Sequence, residues 1–318
     1  MVGGFSDFLI PMIPKPVQAL AWGVALLVGC LGLIRLKPEP GSRRLDEYEF
    51  ETTRHLVSFV ERAARRVETE GEKVFEEFRD PKGPWLDSDS SLYLFAYDTN
   101  GVCLFHPVEM ALQGRNLSDL RDVHGKRMIP AIAGITDRGW VHYCWARPGG
   151  FFPVWKSSYV VRARTPDGKV YNLGAGLYDV QIEKTFVRHT VDMAADLLAR
   201  EGERAVQKLR DPANEFTFLD NYIFVLGMDG MAIVDPSFEN APFRNFSDFR
   251  DSNGKKPFPE IIQRLQREDA TWIMFMWPKP GETMPSKKVA YVRKVRLGDR
   301  YVIVGSHYFQ PTPIWMKG

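Results

Sequence analysis

Residues 93–130, YLFAYDTNGVCLFHPVEMALQGRNLSDLRDVHGKRMIP, recur at 222–259 as YIFVLGMDGMAIVDPSFENAPFRNFSDFRDSNGKKPFP, at a constant offset of 129 and without a gap. Thirteen of the 38 aligned pairs are identical, too many for chance over an ungapped run. A period of this length is a whole domain rather than a solenoid unit or a propeller blade. The repeat extends both ways. Upstream, EGEKVFEEFRDP (70–81) answers EGERAVQKLRDP (201–212). Downstream, Trp140 and Trp145 answer Trp272 and Trp277, Lys156 and Tyr159 answer Lys288 and Tyr291, and Tyr178 is matched with Tyr308 at an offset of 130. The drift in offset is loop-sized. The chain is therefore read as an N-terminal segment, 1–44, followed by two similar domains, 45–182 and 183–318, each long enough to bury its own core.

The hydrophobic pattern gives each copy the same elements. Apolar residues at helical spacing predict an amphipathic helix over 46–79, stopped by Asp80 and Pro81, and a second over 183–210, stopped by Asp211 and Pro212. Two short strands flank Thr99-Asn100-Gly101, and Met228-Asp229-Gly230 repeats the turn signal. Short helices are expected over 126–136 and 257–267, and strands over 140–146, 157–164 and 170–178. A long helix, a hairpin and three further antiparallel strands make an α+β fold with helices segregated to one side of a sheet.

Composition excludes little and the ends add more. The net charge is +2, with 26% charged and 44% hydrophobic residues, and no basic run carries interleaved aromatics, so nucleic acid is not an expected partner. Residues 17–34, VQALAWGVALLVGCLGLI, are 18 positions without a charge. As a helix they would span about 27 Å, close to the hydrocarbon thickness of a bilayer. They are read as a single uncleaved membrane anchor. A lipidated Cys30 is the competing reading of LVGC, although LGLI continues apolar after it. Of the three cysteines, Cys103 and Cys144 are answered by Ala232 and Met276, so no disulfide belongs to the repeat. The six histidines show no HxH or HExxH spacing, and neither a metal site nor a cofactor is expected. No nucleophile–base or paired-acid constellation appears, so no enzyme activity is expected.

The runs EEFRDPKGPW, YLFAYDTNGVCLFHP, GRNLSDLRDVHGKRM, GWVHYCWARPG, KSSYV and GAGLY resemble the Cache family of extracytoplasmic sensor domains, a PAS-like fold. KLRDP, YIFVLGMDG, RNFSDFRDSNGKKPFPEII, TWIMFMWPKPG and KVAYV repeat the resemblance in the second copy. The resemblance implies a protein tethered to the inner membrane with its bulk on the periplasmic side. That placement conflicts with Arg35, Lys37, Arg43 and Arg44 following the span, since positive charge marks the cytoplasmic side. It also implies a small-molecule pocket on one sheet face, which points to His106, Lys126, Tyr143, Trp145, Lys156 and Tyr159. In the second copy the equivalents are Asp235, Phe275, Trp277, Lys288 and Tyr291. Lysine supplies charge, tyrosine a hydroxyl and tryptophan an apolar wall, a set suited to a short carboxylate. The tryptophans also read as plain core aromatics and Lys156 as a solvated strand residue. Asp235 in place of His106 disfavours a carboxylate there and suits either a cationic group or a spacer role for the second copy. The paired Asn116/Asn245 and Asp122/Asp251 are expected to fix a loop. No output domain is read after residue 308, so action through a protein partner in the membrane is expected. The alternative is an accessory or scaffolding subunit of a larger membrane complex, such as a respiratory or photosynthetic assembly, with vestigial pockets.

Overall fold

A computed structural model describes residues 45–80, 82–87, 91–236, 245–279 and 282–310. The membrane-anchor reading of 17–34, Cys30 and its flanking charges lie outside these residues. Among the described residues no helix is long and apolar enough to cross a membrane.

The first amphipathic pattern folds as α1 (Glu51–Glu70), a 3-10 turn (Gly71–Val74) and α2 (Phe75–Arg79). Leu56, Val60, Ala63, Ala64 and Val67 recur at helical spacing and are all buried. The second pattern folds as α4 (Lys184–Glu201) and α5 (Glu203–Arg210), with α3 (Met128–Ala133) between the two patterns in the chain. Each long helix is interrupted by a glycine at positive φ, Gly71 (73°) and Gly202 (58°), a conformation costly for residues with a Cβ. A further helix, α6 (Pro257–Leu265), answers α3.

Among the described residues ten strands form two five-stranded antiparallel sheets. The first contains β1 (Leu94–Asp98), β2 (Cys103–Phe105), β3 (Arg138–Ala146), β4 (Pro153–Arg164) and β5 (Val170–Tyr178), in the order β2-β1-β5-β4-β3. The second contains β6 (Phe224–Gly227), β7 (Ala232–Val234), β8 (Ala270–Pro278), β9 (Pro285–Leu297) and β10 (Arg300–Phe309), in the equivalent order β7-β6-β10-β9-β8. One face of each sheet is backed by its long helix. The other carries a separate core under the short helix, with Phe95, Ile129 and Val160 in the first sheet and Phe224, Phe258 and Val292 in the second.

Register corrects one sequence match. Tyr178 pairs with Lys156, and Phe309 pairs with Lys288. Tyr178 therefore corresponds to Phe309, at an offset of 131, and not to Tyr308. The side-chain period of a strand is two, so the one-residue slip would have placed the two tyrosines on the same face when they lie on opposite ones. Close packing supports the corrected match. A Cβ on Gly174 would lie 2.6 Å from the Phe95 ring, and one on Gly305 would lie 2.3 Å from the Phe224 ring, with Gly174 and Gly305 again 131 apart.

The shared loop is a strut. Asp122 Oδ1 accepts from the His124 and Lys126 N–H groups, and its Oδ2 accepts from Cys144 N–H at 2.9 Å on β3. Asp251 repeats this with Asn253, Lys255 and Met276, the last also at 2.9 Å on β8. Asn116 and Asn245 each accept from the N–H two residues on. These residues tie the crossing loop to the outer strand.

Candidate functional site

Lys156 is the centre of the site on the first sheet. It lies opposite Tyr143 in the β3–β4 register, and its side chain is 1% exposed. Room for it comes from Gly176 on β5, where a Cβ would lie 2.7 Å from Lys156 Cε and 2.4 Å from Ser158 Oγ. Lys156 Nζ donates to the Tyr93 hydroxyl at 2.6 Å and lies 3.9 Å from the centre of that ring. Tyr178 and Phe95 complete an aromatic surround at 5.1 and 5.7 Å. Burial pushes the Lys156 ammonium down to about 7, and nearby Glu109 partly opposes that shift. Lys156 forms no ion pair within hydrogen-bond range among the described residues.

Three other expected residues join it. His106 is buried, with its ring 5.0 Å from Tyr93 and 6.3 Å from Trp145. Its Nδ1 accepts from Glu109 N–H at 3.0 Å. Burial, reinforced by Lys156, drives the imidazole pKa down to about 3, so the ring is neutral at physiological pH. With Nδ1 accepting, the proton of the neutral ring belongs on Nε2, which makes His106 a donor. The Tyr143 hydroxyl shares a 2.9 Å hydrogen bond with Ser158 Oγ. The Trp145 indole donates to Glu109 Oε1 at 2.8 Å. The result is a buried lysine amine and a neutral imidazole set among the aromatic rings of Tyr93, Phe95, Trp145 and Tyr178.

Two expected residues are not brought there. Tyr159 is three positions from Lys156, an odd spacing that puts it on the opposite face of β4. Its hydroxyl donates to Glu61 on α1 at 2.8 Å, and its ring packs on Trp140 at 5.2 Å. Lys126 sits beyond the outer strand. Its Nζ donates to the carbonyls of His142 and Thr217 and lies 5.0 Å from the Trp155 ring. Burial lowers its pKa to about 8.

The second sheet repeats the central device. Lys288, 4% exposed, is paired with Phe275 in register, and its Nζ is 3.3 Å from the Tyr222 hydroxyl. The rings of Trp277, Tyr222, Phe224 and Phe275 lie 5.2–5.9 Å from Nζ. Burial again pushes the lysine down to about 7, against the opposing pull of Asp235. Asp235, Phe275, Trp277 and Lys288 line a cavity of about 50 Å³ with Phe258 and Ala290. Phe275 and Ala290 stand where the first sheet has Tyr143 and Ser158, so the second site lacks that hydroxyl pair. Tyr291, like Tyr159, is on the helix-facing side, 5.0 Å from Trp272.

Tyr93, Glu109, Ser158 and Tyr178 were not anticipated from sequence. Tyr93 had a signal, since it and Tyr222 are an identical pair at the start of the repeated segment. Glu109, Ser158 and Tyr178 have no identical counterpart. Among the described residues no group of three His, Cys, Asp or Glu side chains could hold a metal ion, and Cys103 and Cys144 are buried and unpaired.

The Cache domain family model matches residues 88–309. A curated relative, the methyl-accepting chemotaxis protein McpP of Pseudomonas putida, is 29% identical over 128 residues. That match covers 37% of this chain and 23% of the relative, so the chain spans less than a quarter of that protein. Among solved structures, a Cache chemosensory domain described for carboxylic acid recognition is 20% identical with a TM-score of 0.35, covering 40% of this chain and 93% of that one. A methyl-accepting chemotaxis protein from Vibrio parahaemolyticus is also 20% identical, with a TM-score of 0.32 and coverage of 43% and 95%. The family match runs across both helix-backed sheets and both buried lysines, and on it this chain belongs to the Cache domain family.

Proposed function

We propose that this chain is an extracytoplasmic sensor protein of two Cache modules, 45–182 and 183–318. In this reading it is held at the inner membrane by residues 17–34, binds a short carboxylate beside Lys156, and passes the bound state to a membrane protein partner. The observation that carries the ligand class is the Lys156 amine, 1% exposed and, among the described residues, without a carboxylate counter-ion in hydrogen-bond range. An unpaired buried cation is costly, and a ligand carboxylate relieves that cost while gaining charge-assisted hydrogen bonds of roughly 1.5–3 kcal/mol each. Lys156 has two donors left after Tyr93, and His106 Nε2 adds a third.

Ligand size sets the affinity. For an acetate-sized molecule the ceiling of about −1.5 kcal/mol per heavy atom is roughly −6 kcal/mol, so a Kd of tens of micromolar is the tightest to expect. Calorimetric titration of the protein with acetate, propionate, lactate, pyruvate and butyrate tests the reading. Heat of binding from at least one supports it, and no binding of any C2–C4 acid removes it. The scaffolding alternative draws support from the Tyr93, Phe95 and Tyr178 rings packed around Lys156 Nζ, which resemble a pocket filled by its own side chains. In that reading the same titration is silent while the protein still copurifies with membrane partners.

A further inference from the structure

The two lysine sites also differ in what faces them from the central strand. Gly176 on β5 pairs with Ser158, and a Cβ there would lie 2.7 Å from Lys156 Cε. The register-equivalent pair of the second sheet is His307 with Ala290. A whole imidazole therefore stands where the first sheet has no room for a methyl group. His307 is fully buried, and its ring packs 4.5 Å from that of Tyr222. Burial, reinforced by Lys288, holds its pKa well below the usual histidine value, so the ring adds no charge. With that room taken, the second lysine lies further from its tyrosine. Lys156 Nζ is 3.9 Å from the centre of the Tyr93 ring, and Lys288 Nζ is 5.3 Å from that of Tyr222. Lys288 reaches instead to the rings of the outer strand, Trp277 at 5.2 Å and Phe275 at 5.9 Å, and lines the cavity of about 50 Å³.

The lining of that cavity decides what fits. Phe224, Leu226, Phe258, Phe275, Trp277 and Ala290 are among its apolar walls, and Lys288 and Asp235 are its charged groups. Cation and anion are thus both supplied by the chain, and Asp235 acts electrostatically on Lys288. A carboxylate entering here would bring a second anion beside Asp235, and an ammonium would meet Lys288. Apolar walls would strip either ion of its water without replacing it. A neutral oxygen avoids both costs, since a hydroxyl or carbonyl accepts from Lys288 Nζ while carbon packs on the rings. Volume sets the size. At roughly 10–15 Å³ for each water-sized group, the cavity admits about three to five heavy atoms. We propose that the second module has a binding site of its own, bounded by Lys288, Asp235 and Trp277, for a small neutral alcohol or ketone. Its occupancy does not depend on an acid bound at Lys156.

The methyl group of Ala290 lines the cavity and serves as the reporter. With alanine methyls labelled in the full chain, methyl NMR near pH 6.5 follows titration with 2-butanone, 2-butanol, propionate and sec-butylamine, which are alike in size and differ in charge. At least one of the two neutral molecules should shift the Ala290 signal saturably, and bind roughly tenfold or more tightly than propionate or sec-butylamine. Asp235→Asn removes the resident anion at constant shape and should narrow the gap between the neutral ligand and propionate by roughly fivefold or more. The remaining alanine methyls report whether that variant is folded. No Ala290 shift from either neutral molecule in the wild-type chain would overturn the proposal. So would propionate binding there as tightly as the ketone and the alcohol, or a gap left unchanged in folded Asp235→Asn.

Discussion

Lys156 and Lys288 occupy the same position in two sheets of the same strand order, each buried, each beside the equivalent tyrosine, and each pushed down to about 7 by its surroundings. What surrounds them differs. The first has His106 as a neutral donor and the Tyr143–Ser158 hydroxyl pair. The second has Asp235, Phe275 and Ala290, and a cavity of about 50 Å³ beside the lysine. The backbone fixes where a cation is buried, and a few side chains decide what that cation can receive. The helix-facing sides differ too: Phe186 packs over Trp140 and His142 in the first sheet, whereas among the described residues the equivalent Trp272, Met274 and Tyr291 stay partly exposed.

The largest expected effect tests that second contrast. Phe186→Ala removes a 1%-exposed side chain from against Trp140 and His142 and should cost about 3–5 kcal/mol of unfolding free energy in urea. Met274→Ala, at the register-equivalent of His142 but 44% exposed, should cost less than about 1 kcal/mol. Equal losses for the two substitutions would erase the distinction between the faces.

The lysines give a pH test with a definite sign. A lysine pKa lowered in the folded state means that, between about pH 7 and 10.5, the unfolded chain holds a proton the folded one has released, so stability rises across that window. Below about pH 7 both states are protonated and the burial penalty is present in full. Lys288→Met should therefore flatten the rise and gain most in stability near pH 6, measured by thermal unfolding. For Lys156 the same shift predicts carboxylate affinity falling by up to about tenfold per pH unit above 7, as the ammonium is lost. An affinity constant from pH 6 to 9 would contradict the role of the charge.

The smallest effect sharpens the difference between the sites. Tyr143→Phe makes the first site resemble the second and removes the hydrogen bond to Ser158, at a cost of about 1 kcal/mol. It should weaken acids carrying a hydroxyl or keto group more than acetate. Equal weakening would separate that hydroxyl pair from ligand choice.

Much of this was legible in the chain. The repeat announced two equivalent sets of elements, and strand alternation put Tyr143 and Trp145 on one face. The same alternation, applied across Lys156 and Tyr159, would have separated them, since a spacing of three crosses the sheet. The Tyr178–Tyr308 match failed because identity of residue type outweighed register, and only the pairing with Lys156 and Lys288 resolves it. Lys126 was out of reach of sequence reasoning. Its position depends on Thr217, 91 residues away, and on how the segment after α5 packs against β3. Glu109, which accepts from the Trp145 indole and acts electrostatically on Lys156, lies in a loop with no periodicity to reveal its direction.

The most direct test of the account is calorimetric titration of one short monocarboxylate, the best binder of a C2–C4 series, into the wild-type protein and its Lys156→Met and Lys288→Met variants at pH 6.5. The account predicts measurable binding to wild type with a Kd of tens of micromolar or weaker, a loss of roughly tenfold or more for Lys156→Met, and retention of that binding in Lys288→Met. Unchanged affinity in Lys156→Met, with all three proteins folded, would contradict it.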